Sequence, residues 1–259
     1  MTSRKVVGVF LNSAVHQPHI NTLTAMTHGI RETTDNLVFL SNSTKYIDCD
    51  VAVIFGSWKD RHTKHHLLKK DVVTKHKGDL LVIETPLLGR TITEDHKYYR
   101  VGRGHYMNTL GYFNNKKSDK DRWGIVRTDL GLEIKGWRKD GKHIMFLMQL
   151  PGDAATANVD ILKWLQDEIV KCKKISDRPV RVRMHPLISS YDLSKFEEFV
   201  EKQKDVSMVF GHKNPIAMDL EDCWATVSFT SGGAVDSLLA GVPVITPSNL
   251  NFAYEISSH

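Results

Sequence analysis

The sequence is short of the residues that staple or anchor a chain. Cys49, Cys172 and Cys223 are the 3 cysteines among 259 residues. An odd number at no metal-binding spacing excludes a disulfide framework and reads as reduced thiols in a cytoplasm-like compartment. No apolar run approaches the roughly 18–20 residues of a membrane span. The longest candidates, 79–83 and 144–150, are strand-sized, so no membrane partner is expected. With 17 glycines and 8 prolines at no fixed period, collagen-like and low-complexity readings also fall away. The opening MTSRK runs directly into a strand-like segment with no cleavage site after it, which reads as no secretory leader.

What is present is an ordinary globular composition, 41% hydrophobic and 25% charged, in a length that suits one large or two small domains. The formal net charge is +5 and the excess is uneven. Residues 59–77 carry seven Lys/Arg against two Asp, and residues 97–127 carry eight against Asp119 and Asp121. Such windows fit phosphate-bearing partners, a nucleotide or a nucleic-acid backbone, or else form a solvated surface.

Short apolar runs alternate with helix-like segments, the signature of α/β architecture with parallel strands. Strands are expected at 6–11, 36–40, 51–55 and 80–84, with helices at 20–31 and 62–75. Residues 90–137, rich in Gly, Arg, Asn and aromatics, read as long loops with short strands. A second half opens at 143–150, followed by a helix at 158–172, a strand at 179–184 and a helix at 192–202. Strands at 206–210, 225–228 and 242–246 enclose helices at 216–223 and 231–240. The expected fold is two Rossmann-like halves facing a cleft, divided as 1–137 and 138–259.

Three segments of the second half end strands with chemistry-bearing residues. In 228–245 (SFTSGGAVDSLLAGVPVI) a strand ends at Ser228 and a helix starts near Gly232. Backbone N–H groups and a helix dipole at such a turn suit a phosphate, and Ser228, Thr230 and Ser231 add hydroxyls. Gly232 and Gly233 would let a ligand come close; a routine, tightly packed helix start is the alternative. In 181–186 (RVRMHP), Arg183 and His185 share a strand face, with His185 at the carboxyl end where open sheets bind ligands. His185 either donates to a phosphate or is a structural strand-end histidine. In 210–215 (FGHKNP), His212 and Lys213 follow another strand.

The basic residue before His185-Pro186, the strand-end turn and the run TSGGAVDSLLAGVPV together resemble the donor domain of GT-B glycosyltransferases. The likeness is to the capsule-polysaccharide and teichoic-acid-polymerase type and to small glycosyltransferase-like proteins of tailed bacteriophages. It covers residues 181–247 specifically, and is looser over 8–90 and 102–137. The resemblance implies that His185, Ser228, Thr230, Ser231, Gly232 and Gly233 hold the phosphates of a nucleotide-sugar donor. Asp236 stands where related families often carry a Glu for sugar or ribose hydroxyls. It further implies an acceptor side in the first half, a co-substrate rather than a cofactor, and no bound metal if dipole and basic residues stabilise the leaving group. GT-B folds usually close with a C-terminal helix; here the sequence stops soon after its last expected strand, by truncation or by design.

For the acceptor side, Glu84 at a strand end and His16 in the loop 12–19, beside His19, are the candidates for taking a proton from the attacking hydroxyl. Arg103 and His105, in the run Gly102-Arg103-Gly104-His105, could position an anionic group. The triplet His62, His65 and His66 has no Cys or acid at a ligand spacing and reads as non-metal. The basic windows, Lys69, Lys70, Lys116 and Lys117 among them, fit a nucleic-acid acceptor with double-stranded DNA as partner, and the resemblance to phage proteins implies hydroxymethylated pyrimidines in phage DNA as the expected acceptor. Transfer to a surface polysaccharide or small acceptor, a sugar-nucleotide epimerase, and a non-catalytic nucleotide-binding module are the alternatives.

Overall fold

Continuous apolar runs make strands that are buried on both faces of a sheet, and the computed structural model pairs them accordingly. It describes residues 4–59, 62–90, 96–113, 118–156, 159–211, 213 and 215–259. His212, Lys116 and Lys117 lie outside the described residues. Contacts divide the chain into two units, Met1–Ser118 and Asp119–His259, each with its own sheet.

In the first unit, β1 (Val6–Phe10), β2 (Leu37–Ser41), β3 (Val51–Phe55) and β4 (Asp79–Glu84) run parallel in the order β2-β1-β3-β4. A fifth strand, β5 (Arg100–Arg103), closes the edge antiparallel to β4. Helix α1 (Gln17–Thr33) buries His19, Leu23 and Thr27, one stripe at four-residue spacing. Helix α2 (Lys64–Lys75) buries His66, Leu68, Lys69 and Val72. The core joins Val7, Val9, Leu23, Val53, Phe55 and Ile83. Ser13 stitches the carboxyl ends of β1 and β3: its hydroxyl donates to the Phe10 carbonyl at 2.6 Å and accepts the Phe55 N–H at 2.8 Å.

The second unit begins with a short helix, α3 (Arg122–Asp129), on which no residue is buried. Its sheet is β6 (His143–Leu147), β7 (Val180–Met184), β8 (Val206–Phe210), β9 (Cys223–Ser228) and β10 (Val244–Ile245), all parallel in the order β10-β9-β6-β7-β8. Helices α4 (Ile161–Ile175), α5 (Ser190–Glu201), α6 (Ile216–Asp219) and α7 (Gly233–Leu239) connect the strands. Asp160 caps α4 by accepting the Leu162 and Lys163 N–H groups, and Ser189 caps α5 through Asp192. Ile144, Phe146, Leu165, Ile169, Val182 and Phe196 form the centre of its core.

Two features of residues 90–137 differ from the sequence expectation of loops. Residues 122–129 are helical, and residues 119–137 belong to the second unit. The Lys135 N–H donates to Leu239 O and the Arg138 N–H to Gly241 O, so residues 135–138 are strapped onto the end of α7. The contact boundary therefore falls at 118/119, ahead of the expected 137/138.

Candidate functional site

In the order β10-β9-β6-β7-β8 the chain winds outward from β6 through β7 to β8, then crosses back to β9. The switch point lies between β6 and β9, and open parallel sheets bind ligands outside the carboxyl ends of strands at such a point. Here those ends are Met148-Gln149 after β6 and the 228–233 turn after β9. Gln149 Oε1 spans the gap, accepting the N–H and the hydroxyl of Thr230, each at 2.9 Å. The Thr230 hydroxyl also lies 2.5 Å from the Ala155 carbonyl. Thr230 has a single O–H to donate and two acceptors within reach of it, Gln149 Oε1 and the Ala155 carbonyl.

The rest of the turn is similarly built. Ser228 is 0% exposed; its hydroxyl accepts the Ser231 N–H at 3.1 Å and the Asn251 amide at 3.3 Å. Ser231 Oγ accepts the Gly233 N–H at 3.3 Å, while the Ala234 and Val235 N–H groups close back on Ser231 O and Gly232 O. Ser231 accepts through one lone pair, so its own O–H remains a donor from a partly exposed position. Gly233 is needed for packing: a Cβ there would lie 2.9 Å from Ile216 Cδ1 and 3.2 Å from Leu147 Cδ1.

On β7 and just beyond it, Arg183 and His185 follow. His185 Nδ1 accepts the Leu187 N–H at 3.1 Å, so the neutral ring carries its proton on Nε2 and is a donor there. Arg183 is ion-paired with the buried Asp219 at the end of α6. Burial pulls its guanidinium below the usual value, and the charge of Asp236 on α7 opposes that pull. Arg183 thus stands among two carboxylates. Lys213, exposed beyond β8, places its Nζ 5.1 Å from the centre of the Phe210 ring.

No protein-family model and no curated protein sequence matches the chain. Among solved structures it is similar to Thermosulfurimonas dismutans KpsC, a beta Kdo 2,4 transferase. The TM-score is 0.56 at 11% identity, over 94% of this chain and 80% of that one. Methanocaldococcus jannaschii UDP-GlcNAc 2-epimerase, in complex with UDP-GlcNAc and UDP, aligns at TM-score 0.39 and 11% identity, over 96% of this chain and 86% of that one. The fold is of the GT-B type.

In the first of the two GT-B units, the expected acceptor residues occupy different ends of the sheet. Glu84, at the carboxyl end of β4, accepts the Ser57 N–H at 3.1 Å through Oε2 and the Thr85 N–H and hydroxyl at 2.7 and 3.1 Å through Oε1. His16 is the N-cap residue of α1 and is exposed. Its ring lies 5.6 Å from that of His19, which stacks on Phe55 at 4.0 Å. His105 packs edge-on to Trp58 at 4.9 Å and its Nδ1 accepts the Met107 N–H. Burial holds its imidazole below the ordinary value. Arg103 is placed elsewhere: it grips Asp79 at the start of β4 with Nε at 3.0 Å and Nη2 at 2.6 Å. Lys5 and then Arg103 hold that carboxyl below the usual range. Arg103 is therefore at the amino end of the sheet, where β5, running antiparallel to β4, carries it.

One lysine of the supposed basic surface is not on the surface. Lys69 is 4% exposed, because it shares the inward face of α2 with Leu68 and Val72. The spacing 65, 68, 69, 72 was legible as one helical stripe. Gln149 and Asp219 were harder to find, being polar residues inside or beside apolar runs. Among the described residues no group of three or more His, Cys, Asp or Glu is placed to hold a metal ion. Among them, too, no helix is long and apolar enough to cross a membrane.

Proposed function

We propose that the protein is a glycosyltransferase that moves a sugar from a nucleotide-sugar donor to a hydroxyl acceptor. The observation that carries this reading is the switch-point edge of the second sheet. The Nε2–H of His185, the O–H of Ser231 and the Lys213 ammonium follow β7, β9 and β8 at that edge, and Asp236 sits one turn into α7. The first three are donors suited to diphosphate oxygens; a carboxylate accepts from sugar or ribose hydroxyls. Likeness of fold to a Kdo transferase supports the same reading. In the reaction, positive and N–H donors fixed near the diphosphate stabilise the charge that develops on it as the glycosidic bond breaks.

On the acceptor side, both Glu84 oxygens are committed to three donors. Glu84 is accordingly assigned to holding the 56–57 turn, and His16 to receiving the acceptor's proton. Of the fifteen cations in the two basic windows, Lys69 is buried and Lys75 and Arg103 are ion-paired with Asp71 and Asp79. These placements favour a polysaccharide or small hydroxyl acceptor over hydroxymethylated duplex DNA.

The test is incubation of the chain with labelled nucleotide sugars and a panel of acceptors: oligosaccharides, simple sugars and hydroxymethylated duplex DNA. Acceptor-dependent nucleotide release with label on an oligosaccharide or sugar is expected. An isomerised sugar, or binding without turnover, would replace transfer by epimerisation or by a binding module.

A further inference from the structure

The carboxyl edge of the first unit's sheet holds a buried charge that glycosyl transfer as described above leaves without a task. An ammonium has three donors. That of Lys69 gives one long hydrogen bond, 3.3 Å, to the Phe55 carbonyl, and its other two donors have no partner among the described residues. The carboxylate that faces it is Glu84, which also faces the Arg100 guanidinium. Arg100 donates to the Thr85 and Tyr106 carbonyls, so the poorly matched charge is that of Lys69, opposite an acid whose oxygens already accept three other hydrogen bonds. Burying a cation so poorly matched is unfavourable unless something else completes it.

The structure also leaves room at that point. Gly56, just past β3, has φ +78, a conformation that favours glycine. A Cβ built there would meet Lys69 Nζ at 3.4 Å and Glu84 Oε2 at 3.9 Å, and, its two chain neighbours aside, no other atom of the described residues within 4 Å. The space beside the ammonium is therefore bordered by polar atoms and reached past Gly56 and Ser57, both partly exposed. His65, one turn before Lys69 on α2, faces the same place. Its imidazole is held down by burial and then by the charges of Lys69 and His16. The residues lie at the carboxyl ends of β3 and β4, the side of an open parallel sheet on which ligands bind.

We propose that this edge of the first unit is a binding site for an anionic group, a carboxylate or phosphate, that enters over Gly56 and is held by the Lys69 ammonium. Burial lowers that ammonium to about 8, so it is charged at pH 7. On the transferase reading proposed above, the site would select acceptors bearing an acidic group. It does not depend on the donor reading, since every residue in it belongs to the other unit.

The test is calorimetric titration of the full chain at pH 7 and low ionic strength with inorganic phosphate, with glucuronate, and with glucose as the neutral control. Binding of one or both anions but not of glucose is expected, and the arm that responds names the source of the charge. Lys69→Met keeps the apolar stem and removes the ammonium; it should weaken that binding by about tenfold or more. Its affinity for a nucleoside diphosphate should be unchanged, which separates this site from the donor site. On the wild-type chain, the same anion should slow the reaction of Lys69 with an amine-reactive reagent, followed by peptide mass spectrometry. Anion binding no better than glucose, equal anion affinity in Lys69→Met, or labelling of Lys69 indifferent to the anion would overturn the proposal.

Discussion

Two neighbouring hydroxyls in the 228–233 turn have different surroundings and should respond differently to truncation. Thr230 bonds inward to Gln149 and Ala155, whereas Ser231 keeps an O–H to donate from a partly exposed position. Thr230→Ala should destabilise by roughly 1 kcal/mol, one net hydrogen bond, and leave nucleoside-diphosphate affinity nearly unchanged. Ser231→Ala should do the reverse, with affinity down about tenfold in calorimetry and the melting temperature little altered. A second residue, His143 at the start of β6, sets an acid limit. It is 2% exposed and neither ring nitrogen has a hydrogen-bond partner among the described residues. Burial, and after it the charge of Arg181, holds it at about 4 against an ordinary 6.5. The unfolded chain therefore binds this proton near pH 6.5 and the folded chain only near pH 4. Its contribution is complete above about pH 6.5 and is lost as pH falls toward 4. Urea unfolding of His143→Leu at pH 7.5 and 4.5 should show a smaller loss between the two than the wild type. An identical loss would assign the acid limb to other groups.

At the scale of elements, the end of α7 joins chain segments distant in sequence. Gly241 has φ +70, and a Cβ on it would run into the Gly136 carbonyl, while its own carbonyl accepts the Arg138 N–H at 2.7 Å. Gly241→Ala is strained by conformation and by contact at once. Its expected cost is about 2 kcal/mol or more in chemical denaturation. A smaller effect would mean that the 135–138 strap yields easily. Much of this level was legible. The apolar runs 51–55 and 206–210 are strands with those same ends, and the apolar stripe of residues 161–169 is the inner face of α4. Helix α3 was not, because none of its residues is buried and so no apolar stripe marks it.

For the whole molecule, two sheets with separate cores argue that the second unit can fold by itself. A fragment 119–259 should give a cooperative thermal transition and retain nucleotide binding. One starting at 138 lacks the Lys135–Leu239 pairing and should melt lower. Equal melting of the two fragments would show the strap to be dispensable.

What the sequence by itself determined is local: where the chain is apolar at period two or 3.6, where it must turn, and which residues stand at strand ends. From that followed the α/β class, most elements and the switch-point turn at 228–233. Partners across sequence distance were decided only by the tertiary structure. Gln149 and Thr230 are 81 residues apart and meet because β6 and β9 lie side by side. Arg103 meets Asp79 because β5 runs back along β4, away from the Glu84 end. The burial of Lys69 beside Glu84 likewise depends on how α2 lies over the ends of β3 and β4. Charge and hydroxyl chemistry belong to the residue, but whether a group is a ligand donor or an internal clasp depends on what the fold brings within 3 Å of it, roughly the length of a hydrogen bond.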